Sequence, residues 1–385
     1  MSGKIEHLVK RYCTREELSN RGVWRGELYK ASEWPFFERG WCWKTLLLGE
    51  EDGLLTRLEP VALVESEISG WNATESSGLR RLTPVVADNH PLELCNPTQA
   101  NDSREEDDRF KEKLSMMETL EIIELDVRRL LLDKIFAHEQ VKSHMVQILY
   151  NYVVENNTSY KQGYHELCGA VYLQMLSDEP EMRVVNTFNI FNKLMVRIRP
   201  VFYEEKALIA WSKDVFDTIL KLTIPRLHTL LTDHHKVDST LWLIRWTRLL
   251  FLRELDLSYA LRIWDHILTF TYPVPDLIAC VIVVMLIAIS QELHSCEDQG
   301  DIISLLLHYP SDRQINCVDL MKHSANLYEL YSTHQFQEMP GFGEIICRTY
   351  NREWYDKSAQ IKDPNRLRLE ERLKRRVEWR LQQDK

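Results

Sequence analysis

Residues 120–131 read LEIIELDVRRLL, and their apolar side chains recur at helical spacing. Positions i, i+3, i+7, i+10 and i+11 are occupied by Leu120, Ile123, Val127, Leu130 and Leu131. This spacing puts the side chains on one stripe of an amphipathic helix. Arg129 falls roughly 150° from the centre of the stripe, so we predict that its side chain points outward. An outward arginine is ordinarily a solvated surface residue, and a functional role needs further support.

Helical spacing also dominates the rest of the chain, in which glycine and proline, with 13 residues each, are sparse. The pattern predicts helices over residues 140–155, 242–250 and 302–308, and a further helix that begins at an N-cap, Ser258. The apolar run at residues 277–289 is shorter than the ~20 residues that cross a bilayer, so we predict a buried helix there. Together these patterns predict an all-α fold.

The composition and net charge of the chain exclude some classes of protein and of binding partner. The 385 residues are 44% hydrophobic and 28% charged, which is typical of a folded globular protein, and the net charge is −10. Nucleic-acid binding needs a clustered basic surface, so we expect no nucleic-acid partner. The eight cysteines are scattered singly, without the closely spaced pairs that hold zinc, and predict reduced, intracellular thiols and no metal site.

Two stretches differ from this pattern. Residues 65–110 are polar and acidic without sustained periodicity, and we predict a flexible acidic insertion there. The C-terminal residues 346–385 are predicted to form a basic helical tail, in which Leu369, Leu373, Val377 and Leu381 recur every four residues among arginines and lysines. The tail has two interpretations, a solvated helix or a peripheral membrane or coiled-coil contact.

A second short string, YKQG at residues 160–163, follows about thirty residues after the first. On its own it has an ordinary interpretation as a capping box. In that case Ser159 would cap a new helix and the side chain of Gln162 would reach back to the Ser159 amide.

The two strings fit the patterns I-x-x-D-x-x-R and Y-x-Q-G, and four other segments accompany them in order. These are RGWCWKTLL at 39–47, RWTRLLFLRE at 245–254, ALRIWD at 260–265 and LLHYP at 306–310. Over residues 22–331 the chain thus resembles the TBC-domain GTPase-activating proteins for Rab GTPases. Its second motif resembles that of a divergent branch that writes it Y-K-Q-G-x-H-E-L.

The resemblance implies roles for five residues. Arg129 would be an arginine finger and Gln162 a glutamine finger, both inserted into the active site of a GTP-bound Rab. Asp126 would orient the helix or the arginine, with an ordinary surface ion pair as its alternative. Tyr160 and Gly163 would be structural, the ring packing the loop and the glycine allowing close approach of a partner.

The resemblance also implies an architecture and a setting. One large domain of two helical lobes would cover residues 22–345, after an N-terminal segment at 1–21. GTP and Mg²⁺ would be carried by the Rab, so no cofactor of the chain's own and no independent hydrolase activity are expected. The expected location is cytoplasmic, at endosomal or Golgi membranes, in vesicle traffic.

Three points stay open in the sequence. Many relatives have proline directly before the finger arginine, whereas this chain has Arg128, so motif register alone selects Arg129. A non-catalytic TBC-fold scaffold that binds a Rab or a trafficking complex is the alternative function. A helical-repeat adaptor is a third, although no repeat of ~30–45 residues is visible.

Overall fold

The structure, a computed structural model, describes residues 2–29, 36–48, 117–269 and 272–355. In chain order the α-helices in these ranges begin with α1 (Ser2–Arg11), α2 (Arg15–Glu17), α3 (Phe36–Leu47), α4 (117–128), α5 (Glu139–Glu155), α6 (Tyr164–Gln174) and α7 (Pro180–Phe202). They continue with α8 (Glu205–Trp211), α9 (Asp217–Thr223), α10 (Pro225–Thr229), α11 (Thr240–Arg248), α12 (Leu257–Thr269), α13 (Val274–Ala288), α14 (Ser290–Ser295), α15 (Gln299–Leu307), α16 (Cys317–Ser332) and α17 (Met339–Tyr350).

Short π-helical and 3₁₀ segments lengthen or join some of these helices. The π-helical segments are Leu18–Trp24, Ser212–Phe216 and Leu230–His234, and the 3₁₀ segments are Glu27–Tyr29, Lys134–Ala137 and Ser311–Arg313. The described residues form no β-strand. The all-α fold predicted from the apolar spacing is therefore confirmed.

The chain divides into two compact helical units. The first unit comprises residues 1–203 and 248–271, and contains α1–α7 and α12. The second unit comprises residues 204–247 and 272–385, and contains α8–α11 up to Thr247 and then α13–α17. The predicted acidic insertion at 65–110 lies outside the described residues, as does the predicted tail from residue 356 onward. The predicted boundaries at residues 22 and 345 stay predictions.

Two segments that carry the sequence resemblance meet inside the first unit. Arg39, on α3, places its Nε 3.1 Å from Oδ1 of Asp265, on α12, and both side chains are buried. The indole N–H of Trp43 donates to the same carboxylate at 2.7 Å, and the hydroxyl of Tyr29 donates to it at 2.8 Å. Burial raises the pKa of Asp265, while Arg39, Tyr29 and Trp43 act in the opposite direction. Asp265 thus joins α12 to α3 through Arg39 and Trp43, and to the 3₁₀ segment Glu27–Tyr29 through Tyr29.

Several predicted helix ends are wrong by a few residues. The helix around Asp126 ends at residue 128, and Leu131, predicted to lie on its buried stripe, is 92% exposed. The helix predicted to include Leu250 ends at Arg248. The N-cap prediction for Ser258 is also wrong, because α12 begins at Leu257 and Ser258 lies in its first turn. Apolar spacing defines the face of a helix but not its terminal residues.

The core of the second unit is built around α13. Every residue of this helix from Leu277 to Ala288 is buried, which confirms the buried helix predicted from the apolar run. It packs against α16 and α17. The hydroxyl of Tyr309 donates to the carbonyl of Met285 at 3.1 Å, and so ties the segment after α15 to α13. No described helix is both long enough and apolar enough to span a membrane.

One carboxylate in the second unit is expected to lower stability at neutral pH. Burial, and secondarily Asp238, raises the pKa of Asp217 to about 6. The folded chain therefore holds this proton between pH ~4 and ~6 after the unfolded chain has lost it, so stability falls as pH rises through that window. We expect Asp217→Asn to stabilise the protein at pH 7 by about 1 kcal/mol, the shift being discounted because the side chain is partly exposed.

Thermal unfolding of the Asp217→Asn variant at pH 7 and pH 4.5 would check this prediction. The gain should be present at pH 7 and largely lost at pH 4.5, where the wild-type carboxyl is itself neutral in the fold. The exposed Asp214, in the neighbouring π-helical segment, provides a matched Asp→Asn control that should change little. An equal gain at both pH values would contradict the assignment.

Candidate functional site

Two adjacent arginines lie at the end of α4, Arg128 as its last residue and Arg129 directly after it, and their contacts differ. Leu120, Ile123 and Val127 of α4 are buried, whereas Arg128 and Arg129 are exposed. Arg128 forms an ion pair with Glu124 one turn earlier, at 3.3 Å. Within the described part of the chain, Arg129 forms no ion pair. Of the two arginines, Arg129 is therefore the one whose guanidinium has no ion-pair partner within the described residues.

The backbone places Arg129 just beyond the helix and not on it. The Arg129 amide donates to the Asp126 carbonyl at 3.1 Å, and the Leu130 amide donates to the Val127 carbonyl at 3.2 Å. This three-residue spacing is a tightened last turn of the kind common at helix ends. Arg129 thus lies in a short turn whose position is set by the buried residues on either side of it, Val127 and Leu130.

Asp126 connects this helix end to the YKQG loop. The hydroxyl of Tyr160 donates to Oδ2 of Asp126 at 3.0 Å, and Nδ1 of His165 lies 3.0 Å from the same hydroxyl. Since the Tyr160 proton goes to the carboxylate, the Tyr160 oxygen accepts from His165, which assigns a proton to Nδ1 of the imidazole. The Asp126 carboxylate thus faces Tyr160 and His165 and does not pair with Arg129 among the described residues. It joins the segment of Arg129 to the loop of Gln162.

Burial favours the uncharged forms of the two ring side chains in this cluster, His165 and Tyr160. It lowers the pKa of His165, although the carboxylates of Asp126 and Glu166 act in the opposite direction. Burial, together with the charge of Asp126, raises the pKa of Tyr160. The ring of Tyr160 also packs edge-on against Tyr164, with centroids 5.6 Å apart. A neutral imidazole, a protonated phenol and a carboxylate are therefore held together at the base of the loop.

The loop ends at Gly163, and the reason for glycine there is local. Gly163 has a φ of +103° and caps α6, which begins at Tyr164. A Cβ at this position would lie 2.9 Å from Cδ2 of Leu249. The capping-box interpretation is wrong, because the helix begins four residues later than Ser159 would place it. Gly163 is buried and Gln162, beside it, is exposed.

Substitution of Gly163 by alanine is expected to destabilise the fold by about 1–3 kcal/mol, because alanine at this φ is strained and its Cβ contacts Leu249. The neighbouring Gln162 should be displaced with it. Thermal unfolding measures the first effect. Gly341, on α17, is a matched control, because a Cβ there meets nothing within 4 Å, and Gly341→Ala should be neutral or slightly stabilising. Equal melting temperatures for the two variants would contradict this account.

An ion pair that sequence reasoning did not assign lies next to the loop. Glu166, in the first turn of α6, is 7% exposed and receives two hydrogen bonds from Arg253, Nε to Oε2 at 2.9 Å and Nη2 to Oε1 at 2.7 Å. The side chain of Arg253, which belongs to the segment RWTRLLFLRE, is 56% exposed. A signal was present, since Glu166 is the only acid in the apolar α6 and a buried charge needs a partner.

The predicted site residues thus fall into two groups. Asp126 and Tyr160 are in direct contact, and Gly163 closes the loop. Arg129 and Gln162 are both exposed, and the hydrogen bond between Asp126 and Tyr160 joins the segments that carry them. The described residues contain no group of three or more histidine, cysteine or acidic side chains arranged to hold a metal ion. The roles of Arg129 and Gln162 as fingers, and of Asp126, Tyr160 and Gly163 as supporting residues, stay predictions.

The sequence of this chain is similar to those of known TBC-domain proteins. Residues 84–294, more than half of the chain, match the family model of the Rab-GTPase-TBC domain. Human TBC1 domain family member 5 is 24% identical over 323 residues, which are 71% of this chain and 39% of that protein. Growth hormone-regulated TBC protein 1-A of Danio rerio is 29% identical over 151 residues, 38% of this chain and 40% of that protein. The chain therefore spans about two fifths of the length of these relatives.

A solved structure shares the fold. The crystal structure of the Ypt/Rab-GAP domain of Gyp1p matches with a TM-score of 0.57 and 17% identity, over 83% of this chain and 94% of that one. At this identity the match shows the fold alone. With the family model matching more than half of its residues, the chain belongs to the Rab-GTPase-TBC domain family.

Proposed function

We propose that this chain is a GTPase-activating protein for a Rab-family GTPase in its GTP form, and that Arg129 and Gln162 enter the partner's active site. One observation carries the proposal. The hydrogen bond between Tyr160 and Asp126 joins the two segments that carry these residues, and both residues are exposed to a partner. Membership of the Rab-GTPase-TBC domain family supports the class of partner.

The chemistry of GTP hydrolysis explains why these two residue types are needed. Hydrolysis on a small GTPase is slow because charge on the phosphoryl oxygens is poorly stabilised and the attacking water is poorly held. The planar, permanently charged guanidinium of Arg129 would stabilise that charge through two parallel hydrogen bonds. A finger supplied in this way raises the rate by ~10³–10⁵. The amide of Gln162 would orient the attacking water.

The other predicted residues act on these two. Asp126 and Tyr160 hold the loop of Gln162 against the end of α4, and Gly163 permits the backbone turn that brings the loop into α6. GTP and Mg²⁺ would belong to the GTPase, so the chain would use no cofactor of its own. We also propose a cytoplasmic role in vesicle traffic at endosomal or Golgi membranes, with the tail at 346–385 as a peripheral membrane or coiled-coil contact. The support for this setting is the sequence resemblance.

Phosphate release from a panel of GTP-loaded Rab GTPases tests the proposal. Wild-type protein should accelerate hydrolysis on one or a few of them, and Arg129→Ala and Gln162→Ala should each lose that acceleration. Arg128→Ala is the matched control, because this neighbouring arginine is engaged with Glu124 and should be dispensable. Flat traces across the panel, with folding verified by circular dichroism, would favour the non-catalytic scaffold.

A further inference from the structure

The ion pair between Arg253 and Glu166 joins a turn of unusual backbone shape to the start of α6. The turn comprises residues 249–255, between α11 and α12. Both nitrogens of the Arg253 fork bind both oxygens of Glu166, a bidentate geometry that fixes direction as well as distance. Because Glu166 is buried, its carboxylate depends on Arg253 for a counter-charge. Arg253 is exposed and depends less on Glu166, because water can solvate its guanidinium.

The backbone of this turn is strained at two consecutive residues. Leu250 has a φ of +45° and Phe251 a φ of +69°, and both side chains are fully buried. Non-glycine residues in this region cost about 1–3 kcal/mol each, and such strain clusters at functional sites. The turn is held by neighbouring groups. The indole N–H of Trp264 donates to the Leu250 carbonyl at 2.9 Å, and the Leu255 amide donates to the Phe251 carbonyl at 3.1 Å.

The same turn contacts the Gln162 loop at Gly163 and the first turn of α6 at Glu166. Leu249 packs directly against Gly163, close enough that a Cβ on the glycine would lie 2.9 Å from it. Arg253 binds Glu166, three residues further along the chain. Gly163 follows Gln162 directly, so a turn that holds both Gly163 and Glu166 also fixes the backbone on the C-terminal side of Gln162.

We propose that Arg253 and Glu166 are positioning residues for Gln162, holding the Gln162 loop in the place from which its amide reaches the attacking water. The inference rests on the proposed function, because it assigns the pair a task within that reaction. Neither side chain touches the nucleotide in this scheme. Their effect passes through the start of α6 to Gln162, so it should disappear when Gln162 is absent.

The two variants of the pair should differ in severity. Arg253→Gln leaves the buried Glu166 without its counter-charge, so the start of α6 must rearrange or take up a proton. Glu166→Gln leaves an arginine that water can solvate, and a glutamine that still accepts a hydrogen bond from it. We therefore expect Arg253→Gln to be the more damaging of the two. The double variant Arg253→Gln/Glu166→Gln should recover part of the loss, because no unpaired charge remains buried.

Single-turnover GTP hydrolysis on the GTPase identified in the panel tests the proposal. Arg253→Gln should lower the maximal rate about tenfold, because small misplacements of catalytic groups carry costs of this order. Binding to the GTPase loaded with a non-hydrolysable GTP analogue should be unchanged. In a Gln162→Ala background, Arg253→Gln should lower the residual rate by less than about twofold. A full tenfold loss in that background would overturn the proposal in favour of a general structural role.

Hydrogen–deuterium exchange of the free protein provides a readout that needs no GTPase. Arg253→Gln should accelerate exchange at amides of residues 160–167 and leave the second unit unchanged. Unchanged exchange at these amides would overturn the proposal even if the rates fell. Arg313→Gln is the matched control, because it removes an Arg–Glu pair with Glu292 in the second unit. Absence of activation by the wild-type protein on every Rab would instead refute the proposed function, and this inference with it.

Discussion

Arg129→Lys is expected to lower the maximal rate of GTP hydrolysis on the partner by about 10²-fold or more, although the substitution keeps the positive charge. Lysine offers a compact ammonium on a flexible stem, whereas arginine offers a planar fork that can bind two phosphoryl oxygens at once. The turn at Arg129 fixes the backbone but not the end of a lysine side chain. The stabilisation that depends on two parallel hydrogen bonds should therefore be lost.

The measurement is single-turnover phosphate release at saturating Arg129→Lys protein, so that weaker association does not enter. Arg128→Lys is the matched control and should stay within about twofold of wild type, since an exposed i,i+4 ion pair contributes little. Both variants should bind the GTPase loaded with a non-hydrolysable analogue. Near-normal turnover by Arg129→Lys would exclude a finger role for this residue. Loss in Arg128→Lys alone would move the role to its neighbour.

Sequence reasoning located the elements that periodicity controls. The stripe of Leu120, Ile123 and Val127 is buried as predicted, because side chains at these spacings share one face of any helix. The buried helix α13 was also predictable, since an apolar run of this length that is too short to span a membrane is favourable only when buried in the core. Both predictions depend on local pattern, and local pattern was sufficient.

The shape of the candidate loop was not predictable in the same way. Ser159 and Gln162 have the spacing of a capping box, yet the helix begins after Gly163, whose φ of +103° belongs to no capping box. What decides the loop is a set of contacts distant in sequence, from Asp126 to Tyr160 and from Leu249 to Gly163. A single sequence carries no direct record of such pairs.

The ion pair of Glu166 could be predicted from the sequence in part. A lone acid in a helix that is otherwise buried requires a cation, so the existence of a pair could have been inferred. Its identity could not, because Arg253 is 87 residues away in the chain. The strained residues Leu250 and Phe251, which lie in the same turn as Arg253, carry no sequence signal, since both are ordinary apolar residues.

Asp265→Ala is expected to reduce the free energy of unfolding by about 3–5 kcal/mol, the largest stability change among the variants considered. The carboxylate accepts hydrogen bonds from Arg39, Trp43 and Tyr29, and alanine leaves all three donors without it in a buried site. The guanidinium of Arg39, itself buried, loses the charge that faces it. The loss of unfolding free energy should lie near the lower end of this range, at about 3 kcal/mol. Burial raises the pKa of Asp265, which means that desolvation of its carboxylate is unfavourable, and truncation to alanine removes that cost.

Urea unfolding of the Asp265→Ala variant, followed by far-UV circular dichroism, measures the effect. Tyr29→Phe is the matched control, because it removes a single hydrogen bond to the same carboxylate and should cost about 0.5–1.5 kcal/mol. The ratio between the two variants separates the buried charge pair from an ordinary hydrogen bond. Equal losses in both would mean that the pairing of Arg39 with Asp265 adds nothing, and that the contact between α3 and α12 depends on the packing of Trp43 against Trp264, whose rings are stacked 6.2 Å apart.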